Sequence, residues 1–120
     1  MNFTHTLSDS KNWIINHKDQ LEINWSEKDI ELHLNKETSF NIYLLDQTNV
    51  KGALIGHFLY QDQKVSEFEI LHIAVLPEFR NQGLGRIILE ELEKQLKSTG
   101  KSFKIFLEAS AINNFAIKLY

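Results

Sequence analysis

Alternating apolar and polar side chains mark the strands of this chain. The pattern predicts strands at residues 3–7, 40–45, 51–60, 67–76 and 102–108. Gly52 and Gly56 interrupt the third of these, and we expect bulges there. Short polar turns join the 40–45, 51–60 and 67–76 strands, so these three are expected to form an antiparallel meander.

Apolar side chains at helical spacing predict the helices. Ser8 to Ser10 offer caps for a short first helix, and Ser26 is expected to cap the second. The third and longest helix has its apolar face at Leu84, Ile87, Ile88, Leu92 and Leu96. Gly100 is expected to end it. A loop at residues 109–112 and a final helix from Asn113 to Tyr120 complete the predicted elements.

The predicted order is β-α-α-β-β-β-α-β-α, within one α/β domain over residues 1–120. A helical crossover joins the 67–76 strand to the 102–108 strand. Strands joined in that way are parallel, so we expect these two to be parallel neighbours in a mixed, mostly antiparallel sheet.

Composition excludes several kinds of chemistry. The chain has no cysteine, which removes disulfides, thiolate metal sites and cysteine nucleophiles and agrees with an expected cytoplasmic location. The five histidines show no metal-ligand spacing, so no metal is expected: His5, His17, His33, His57 and His72. No apolar run is long enough to span a membrane, and the N-terminus lacks the basic and apolar regions of a signal peptide.

Charge is distributed unevenly along the chain. Residues 1–76 carry 6 basic and 11 acidic side chains, whereas residues 77–120 carry 7 basic and 5 acidic ones. Solvated surfaces explain such an imbalance without any function. The functional alternative is that the second part meets an anionic cofactor and the first a cationic substrate. The net charge of −3 argues against a nucleic-acid partner.

A glycine-containing loop carries the clearest chemical signal. The 67–76 strand ends before Pro77, and Gly83 and Gly85 open the long helix. The start of a helix has unpaired N–H groups and a partial positive charge, so it attracts anions. Arg80 and Arg86 flank the loop and can add charged contacts to a phosphate. Two glycines alone would also fit a simple tight turn.

The full string is more specific than its glycines. Its residues are Arg80, Asn81, Gln82, Gly83, Leu84 and Gly85, in the pattern Arg/Gln-x-x-Gly-x-Gly/Ala. This resembles the acetyl-CoA motif of the GCN5-related N-acetyltransferases (GNATs). The resemblance implies the α/β acetyltransferase fold, with acetyl-CoA held by residues 80–86. It also implies that acetyl-CoA pairs with the backbone of Ile73, Ala74 and Val75 in the way that an added strand would.

The stretch from Leu107 to Tyr120 narrows the resemblance. It looks like the Leu-Glu-Val-Arg-x-x-Asn-x-x-Ala-x-x-Leu-Tyr stretch of bacterial ribosomal-protein-alanine N-acetyltransferases, and the segment that begins at Trp25 and Ser26 also resembles theirs. Ala109, Ser110 and Ile112 depart from that pattern. The implied reaction transfers acetyl from acetyl-CoA to a protein N-terminal α-amine, by direct attack and without an acyl-enzyme.

The resemblance also assigns roles to single residues. It implies that Glu108 is the base, that Tyr120 is the acid and that Asn113 helps place acetyl-CoA. Without it, Glu108 reads as a solvent-facing acid at a strand end, Tyr120 as a core aromatic and Asn113 as a helix cap. Glu69 and His72, which we expect on opposite faces of their strand, are alternative bases.

The family normally continues with two more strands beyond the position of Tyr120. We therefore expect a C-terminally incomplete domain in which the 102–108 strand is an open edge that favours self-association. Two alternatives stay open: an acetyltransferase for a lysine or a small-molecule amine, and a non-catalytic module that only binds acetyl-CoA. A ribosomal protein is the implied acceptor.

Overall fold

A five-stranded sheet with strand order β1-β2-β3-β4-β5 forms the frame of the computed structural model, which describes residues 1–108. The strands are β1 (Asn2–Thr4), β2 (Ser39–Asp46), β3 (Asn49–Gln61), β4 (Val65–Val75) and β5 (Ser102–Leu107). The helices are α1 (Ser10–His17), α2 (Glu27–Leu34), a short 3₁₀ turn (Pro77–Phe79) and α3 (Leu84–Ser98). The predicted 109–112 loop and 113–120 helix lie outside the described residues.

The strand pairings confirm the predicted α/β topology. β1 to β4 form an antiparallel meander, and β5 pairs with β4 in parallel across the α3 crossover. The first strand is shorter than the predicted 3–7. It ends at Thr4, whose hydroxyl donates to the Thr6 carbonyl and accepts from the Thr6 N–H, so the side chain takes over the local backbone bonds.

Two apolar layers cover the two faces of the sheet. α3 packs on one face through its buried residues Leu84, Ile88, Leu89, Leu92 and Leu96. α1, α2 and the connection between them pack on the other face through Ile14, Leu21, Ile23 and Ile30. We call these the α3 face and the α1/α2 face.

The helix ends follow the predicted caps. Ser26 Oγ accepts a hydrogen bond from the Asp29 N–H at 3.1 Å and so caps α2, as expected. Gly100 has a φ of 75° after the end of α3, which is the conformation expected of a C′ glycine. Among residues 1–108, no helix combines the length and hydropathy needed to cross a membrane.

The register between β3 and its neighbours shifts next to both glycines that were expected at bulges. The shift at Gly52 is in the β2–β3 pairing, and the shift at Gly56 is in the β3–β4 pairing. Lys51 has no partner residue in β2 between Val50 and Gly52, and Leu71 has none in β3 between Ile70 and His72. A Cβ on Gly56 would lie 2.5 Å from the Phe68 ring, so only glycine fits at this point of the sheet.

The bulge at Leu71 corrects one prediction. Strict alternation places Glu69 and His72 on opposite faces of the strand, but one extra residue reverses the alternation. Ile70 and Ile73, three residues apart, therefore both reach the α3 face. Glu69 and His72 accordingly share the α1/α2 face.

Candidate active site

The strands β4 and β5 separate in the middle of the sheet. Their parallel pairing ends at Ile70 and Leu107, and the last bond runs from the Glu108 N–H to the Ile70 carbonyl at 3.0 Å. β4 continues to Val75 with its other edge paired to β3. Within residues 1–108, no strand pairs with the β5 side of β4 beyond this point. The backbone of Ile73, Ala74 and Val75 thus offers an edge to an extended ligand.

The predicted glycine loop lies at the end of that edge. The chain leaves β4 through the 3₁₀ turn and enters α3 with positive φ at Asn81 (65°) and Gly83 (76°). A Cβ on Gly83 would meet no atom within 4 Å, so conformation rather than space requires glycine there. α3 starts without a side-chain cap, which leaves the N–H groups of its first turn for an anion.

The residues of this turn that are predicted to bind the cofactor differ in the exposure of their side chains. Leu84 and Gly85 are buried against the core, so they can contribute only through their backbone. Asn81, Gln82 and Arg86 are exposed. This turn, residues 80–86, is called the anion turn below.

The Arg80 side chain makes two hydrogen bonds that the sequence did not predict. Its Nε donates to the Val75 carbonyl at 2.9 Å and its Nη2 donates to the Gln20 carbonyl at 2.8 Å. Two of its donors are therefore bound to backbone carbonyls outside the turn. Arg86 is the exposed cation at the anion turn.

Three titratable groups lie on the α1/α2 face where the strands separate. Glu108 follows Lys104 and Phe106 by strand alternation, which places it on the same face as Glu69, the partner of Phe106 in the register. The predicted base thus lies beside β4. Tyr120 and Asn113, the other catalytic and cofactor residues predicted by resemblance, lie outside the described residues.

His72 is a buried imidazole in this group. It is 7% exposed, and its ring meets the Trp25 ring edge-on with centroids 5.0 Å apart. Burial lowers the pKa of His72, the charge of Glu108 opposes that shift, and His33 lowers the pKa further. Its Nε2 has no hydrogen-bond partner within residues 1–108.

Glu69, the other alternative base, has a different partner. Lys36 Nζ donates to His57 Nδ1 at 3.1 Å, so His57 carries its proton on Nε2 and donates to Glu69 Oε1 at 2.7 Å. Sequence reasoning did not identify His57 or Lys36. The only available signal was the pairing of His57 with Glu69 across the β3–β4 hairpin, which depends on register.

A groove of about 520 Å³ opens between α2 and the sheet. Its lining residues are Trp25, Asp29, Leu32, His33, Lys36, His57 and Leu71. His33 donates from Nε2 to Asn41 Oδ1 at 3.0 Å, because that oxygen also accepts from the Gly56 N–H. Burial lowers the pKa of His33 and favours its neutral form. Trp25, predicted only as a packing residue, forms the wall between this groove and His72.

The family model described as "Acetyltransferase (GNAT) family" matches residues 4–120. The chain belongs to the GNAT family. This confirms the resemblance drawn from the anion turn, and the sheet with its separated strands is the GNAT fold.

Relatives of this GNAT chain have named activities. It is 33% identical over 96 residues to the ribosomal protein bS18-alanine N-acetyltransferase of Escherichia coli strain K12, an alignment that covers 80% of this chain and 60% of the relative. The crystal structure of the S18-alanine N-acetyltransferase from Escherichia coli matches with a TM-score of 0.79 at 26% identity, over 99% of this chain and 73% of that one.

A second kind of GNAT enzyme shares the fold. An aminoglycoside acetyltransferase from an uncultured soil metagenomic sample, solved in complex with sisomicin, matches with a TM-score of 0.73 at 17% identity, over 98% of this chain and 82% of that one. Identity at this level is evidence of a common fold only. Within residues 1–108 of this GNAT chain, no group of three or more acidic or imidazole side chains could hold a metal ion.

Proposed function

We propose that this chain is an N-acetyltransferase that transfers the acetyl group of acetyl-CoA to the N-terminal α-amine of a protein. The observation that carries the proposal is the convergence of the anion turn, the unpaired edge of β4 and Glu108 at one separation of two strands. The relative from Escherichia coli supports a ribosomal protein with an N-terminal alanine as the acceptor. The expected cytoplasmic location stays a prediction.

Each part of acetyl-CoA has a matching surface on this chain. The pyrophosphate would lie on the N–H groups at the start of α3, where the helix dipole favours negative charge. The pantetheine arm would run along the backbone of Ile73 to Val75 and make strand-like hydrogen bonds. This arrangement carries the thioester to the point where β4 and β5 separate, beside Glu108.

The reaction needs three proton transfers and no covalent enzyme intermediate. An α-ammonium group has a pKa of about 7.7–8.0, so the acceptor must first lose a proton. Glu108 would take that proton, directly or through a water molecule. The amine nitrogen then bonds to the thioester carbon and the carbon–sulfur bond breaks. The nitrogen loses its second proton to water, and the leaving thiolate takes a proton from Tyr120, the acid that the resemblance implies.

His72 and Glu69 have supporting roles in this proposal. Burial favours the neutral form of His72, and the charge of Glu108 acts on it. Glu69 accepts a hydrogen bond from His57 Nε2 at 2.7 Å, so its carboxylate is already paired with a residue that lines the groove. Glu108 therefore remains the base that we favour.

The Glu108→Gln variant tests the proposal. The amide keeps the shape of the side chain but cannot take a proton, so acetylation of an alanine-N-terminal peptide should fall by about 10²–10⁴-fold. Affinity for acetyl-CoA, measured by calorimetry, should not change. Glu78→Gln removes an exposed acid from the 3₁₀ turn and serves as the matched control. Equal turnover by the Glu108→Gln variant and the wild type would rule out this role.

A small-molecule amine is the second candidate acceptor. Asp29 lines the groove, Glu69 is bonded to the lining residue His57, and Glu108 lies on the same face of the sheet, which would suit a polycationic ligand. The sisomicin-bound neighbour shares the fold. Acetylation of sisomicin but not of the peptide would favour this candidate. Binding of acetyl-CoA without acetylation of either acceptor would favour the non-catalytic module.

A further inference from the structure

Arg80 joins two parts of the chain that are distant in sequence. Val75, which accepts from its Nε, ends β4, whereas Gln20, which accepts from its Nη2, lies 60 residues earlier in the connection between α1 and α2. A guanidinium group is planar and rigid, so two of its donors fix two carbonyls in one relative position. Arg80 therefore fastens the 18–26 connection to the end of β4.

The 18–26 connection in turn positions the wall of the groove. Leu21 and Ile23 are 2% and 5% exposed, and their N–H groups donate to the carbonyls of His17 and Lys18. The Lys18 ammonium group donates to the Trp25 carbonyl at 3.1 Å. The Trp25 ring lines the groove and contacts the rings of His33 and His72. Movement of this connection would therefore displace Trp25.

The backbone of Arg80 is part of the anion turn. Asn81 and Gly83 follow it with positive φ, and residues 81–83 are exposed. An exposed segment with few packing contacts has low local stability, so a bound anion would restrain it. A restraint on this turn would pass to Arg80 and from there to the Gln20 carbonyl.

We infer that Arg80 is a positioning residue that couples the acetyl-CoA site to the groove between α2 and the sheet, which we take as the acceptor site. Binding of acetyl-CoA at the anion turn holds Arg80, and Arg80 holds the connection that carries Trp25, so the acceptor wall is ordered when the donor is present. The inference rests on the proposed function for the identity of the two ligands. It replaces the expectation that the Arg80 side chain contacts phosphate.

Amide hydrogen exchange at Leu21 and Ile23 tests this coupling without any acceptor. In the wild type, saturating acetyl-CoA should slow exchange at both amides by about tenfold, as expected from one restrained charge-assisted hydrogen bond. Arg80→Lys keeps the positive charge but removes the planar guanidinium whose two donors bind the Val75 and Gln20 carbonyls. That variant should lose the slowing even at acetyl-CoA concentrations that saturate it. Arg86→Lys, at the same turn, should keep the slowing.

Each result decides the inference. No slowing in the wild type overturns it, and this measurement needs no variant. Slowing retained in Arg80→Lys at saturating acetyl-CoA also overturns it. In turnover, Arg80→Lys should raise the KM of the alanine-N-terminal peptide at least fivefold, and a smaller increase overturns the coupling. If the wild type acetylates no peptide, the proposed function fails and the exchange data alone decide.

Discussion

At the scale of single residues, His72 shows how burial sets a protonation state. Burial lowers its pKa below the usual 6.5, while an unfolded chain has no such effect. When the pH falls below about 6.5, the unfolded state therefore binds more protons than the folded state, and stability is lost. Above that pH both states are neutral at this residue, and it adds no pH dependence.

The His72→Gln variant should lose less stability on acidification than the wild type. Glutamine is neutral at every pH, so the free energy needed to charge a buried imidazole disappears. Melting temperatures at pH 7.5 and 5.5 give the comparison, and only the difference between the two pH values is used. His33→Gln should act in the same direction, because burial lowers the pKa of His33 too. The same loss in His72→Gln and wild type would contradict this account.

Single positions differ in how far the sequence could assign them. Gly83 was predictable because the need for a positive φ is local and has a residue signature. Arg80 was predicted at this turn, but its bond to Gln20 was not, because Gln20 is brought close only by the fold. The face of His72 could not be predicted, since one bulge at Leu71 reverses strand alternation without leaving a mark in the sequence.

At the scale of elements, β3 and β4 leave no room for a side chain at Gly56. A Cβ there would lie 2.5 Å from two atoms of the Phe68 ring and 2.7 Å from the Glu69 carbonyl oxygen. The Phe68 side chain is fully buried among the core residues of the α3 face and cannot move away without cost. The glycine therefore permits this strand pairing.

Gly56→Ala should destabilise the fold by about 1–3 kcal/mol through overpacking. Chemical denaturation gives the free energy of unfolding. A double-mutant cycle with Phe68→Leu serves as the control, because a smaller side chain at 68 relieves the contact. Phe68→Leu should therefore cost less in the Gly56→Ala background than in the wild type. Additive costs would show that the Phe68 contact does not determine the effect.

Element order and strand direction were within reach of the sequence for physical reasons. Short polar turns favour antiparallel neighbours, and a helical crossover requires parallel ones, so β2 to β5 followed from connection lengths. The separation of β4 from β5 after Ile70 could not be predicted from connection lengths. It depends on where pairing stops, and the alternation of Lys104, Phe106 and Glu108 continues without interruption through that point.

At the scale of the whole molecule, charged side chains from both parts of the chain lie near the site. The first part supplies Asp29 and Lys36 to the groove, and the second supplies Arg86 to the anion turn. An anionic donor would meet the positive charge of Arg86, whereas the groove carries both an acid and a lysine in its lining. The functional interpretation of the charge pattern stays a prediction.

Binding of acetyl-CoA should stabilise the whole chain. Since the ligand would contact β4 and α3, which belong to one core, its binding energy should appear in global unfolding. At a hundred times its Kd, a ligand adds about 2.7 kcal/mol. For a domain of this size the melting temperature should then rise by about 10 °C.

Gly83→Ala is the matched control for this measurement. A Cβ there meets no neighbouring atom, so the variant changes the conformation of the anion turn without crowding the core. Its rise in melting temperature with acetyl-CoA should be smaller than that of the wild type. A chain that melts cooperatively but shows no rise with acetyl-CoA would contradict the assignment of the anion turn. An equal rise in both proteins would place the acetyl-CoA contact elsewhere on the chain.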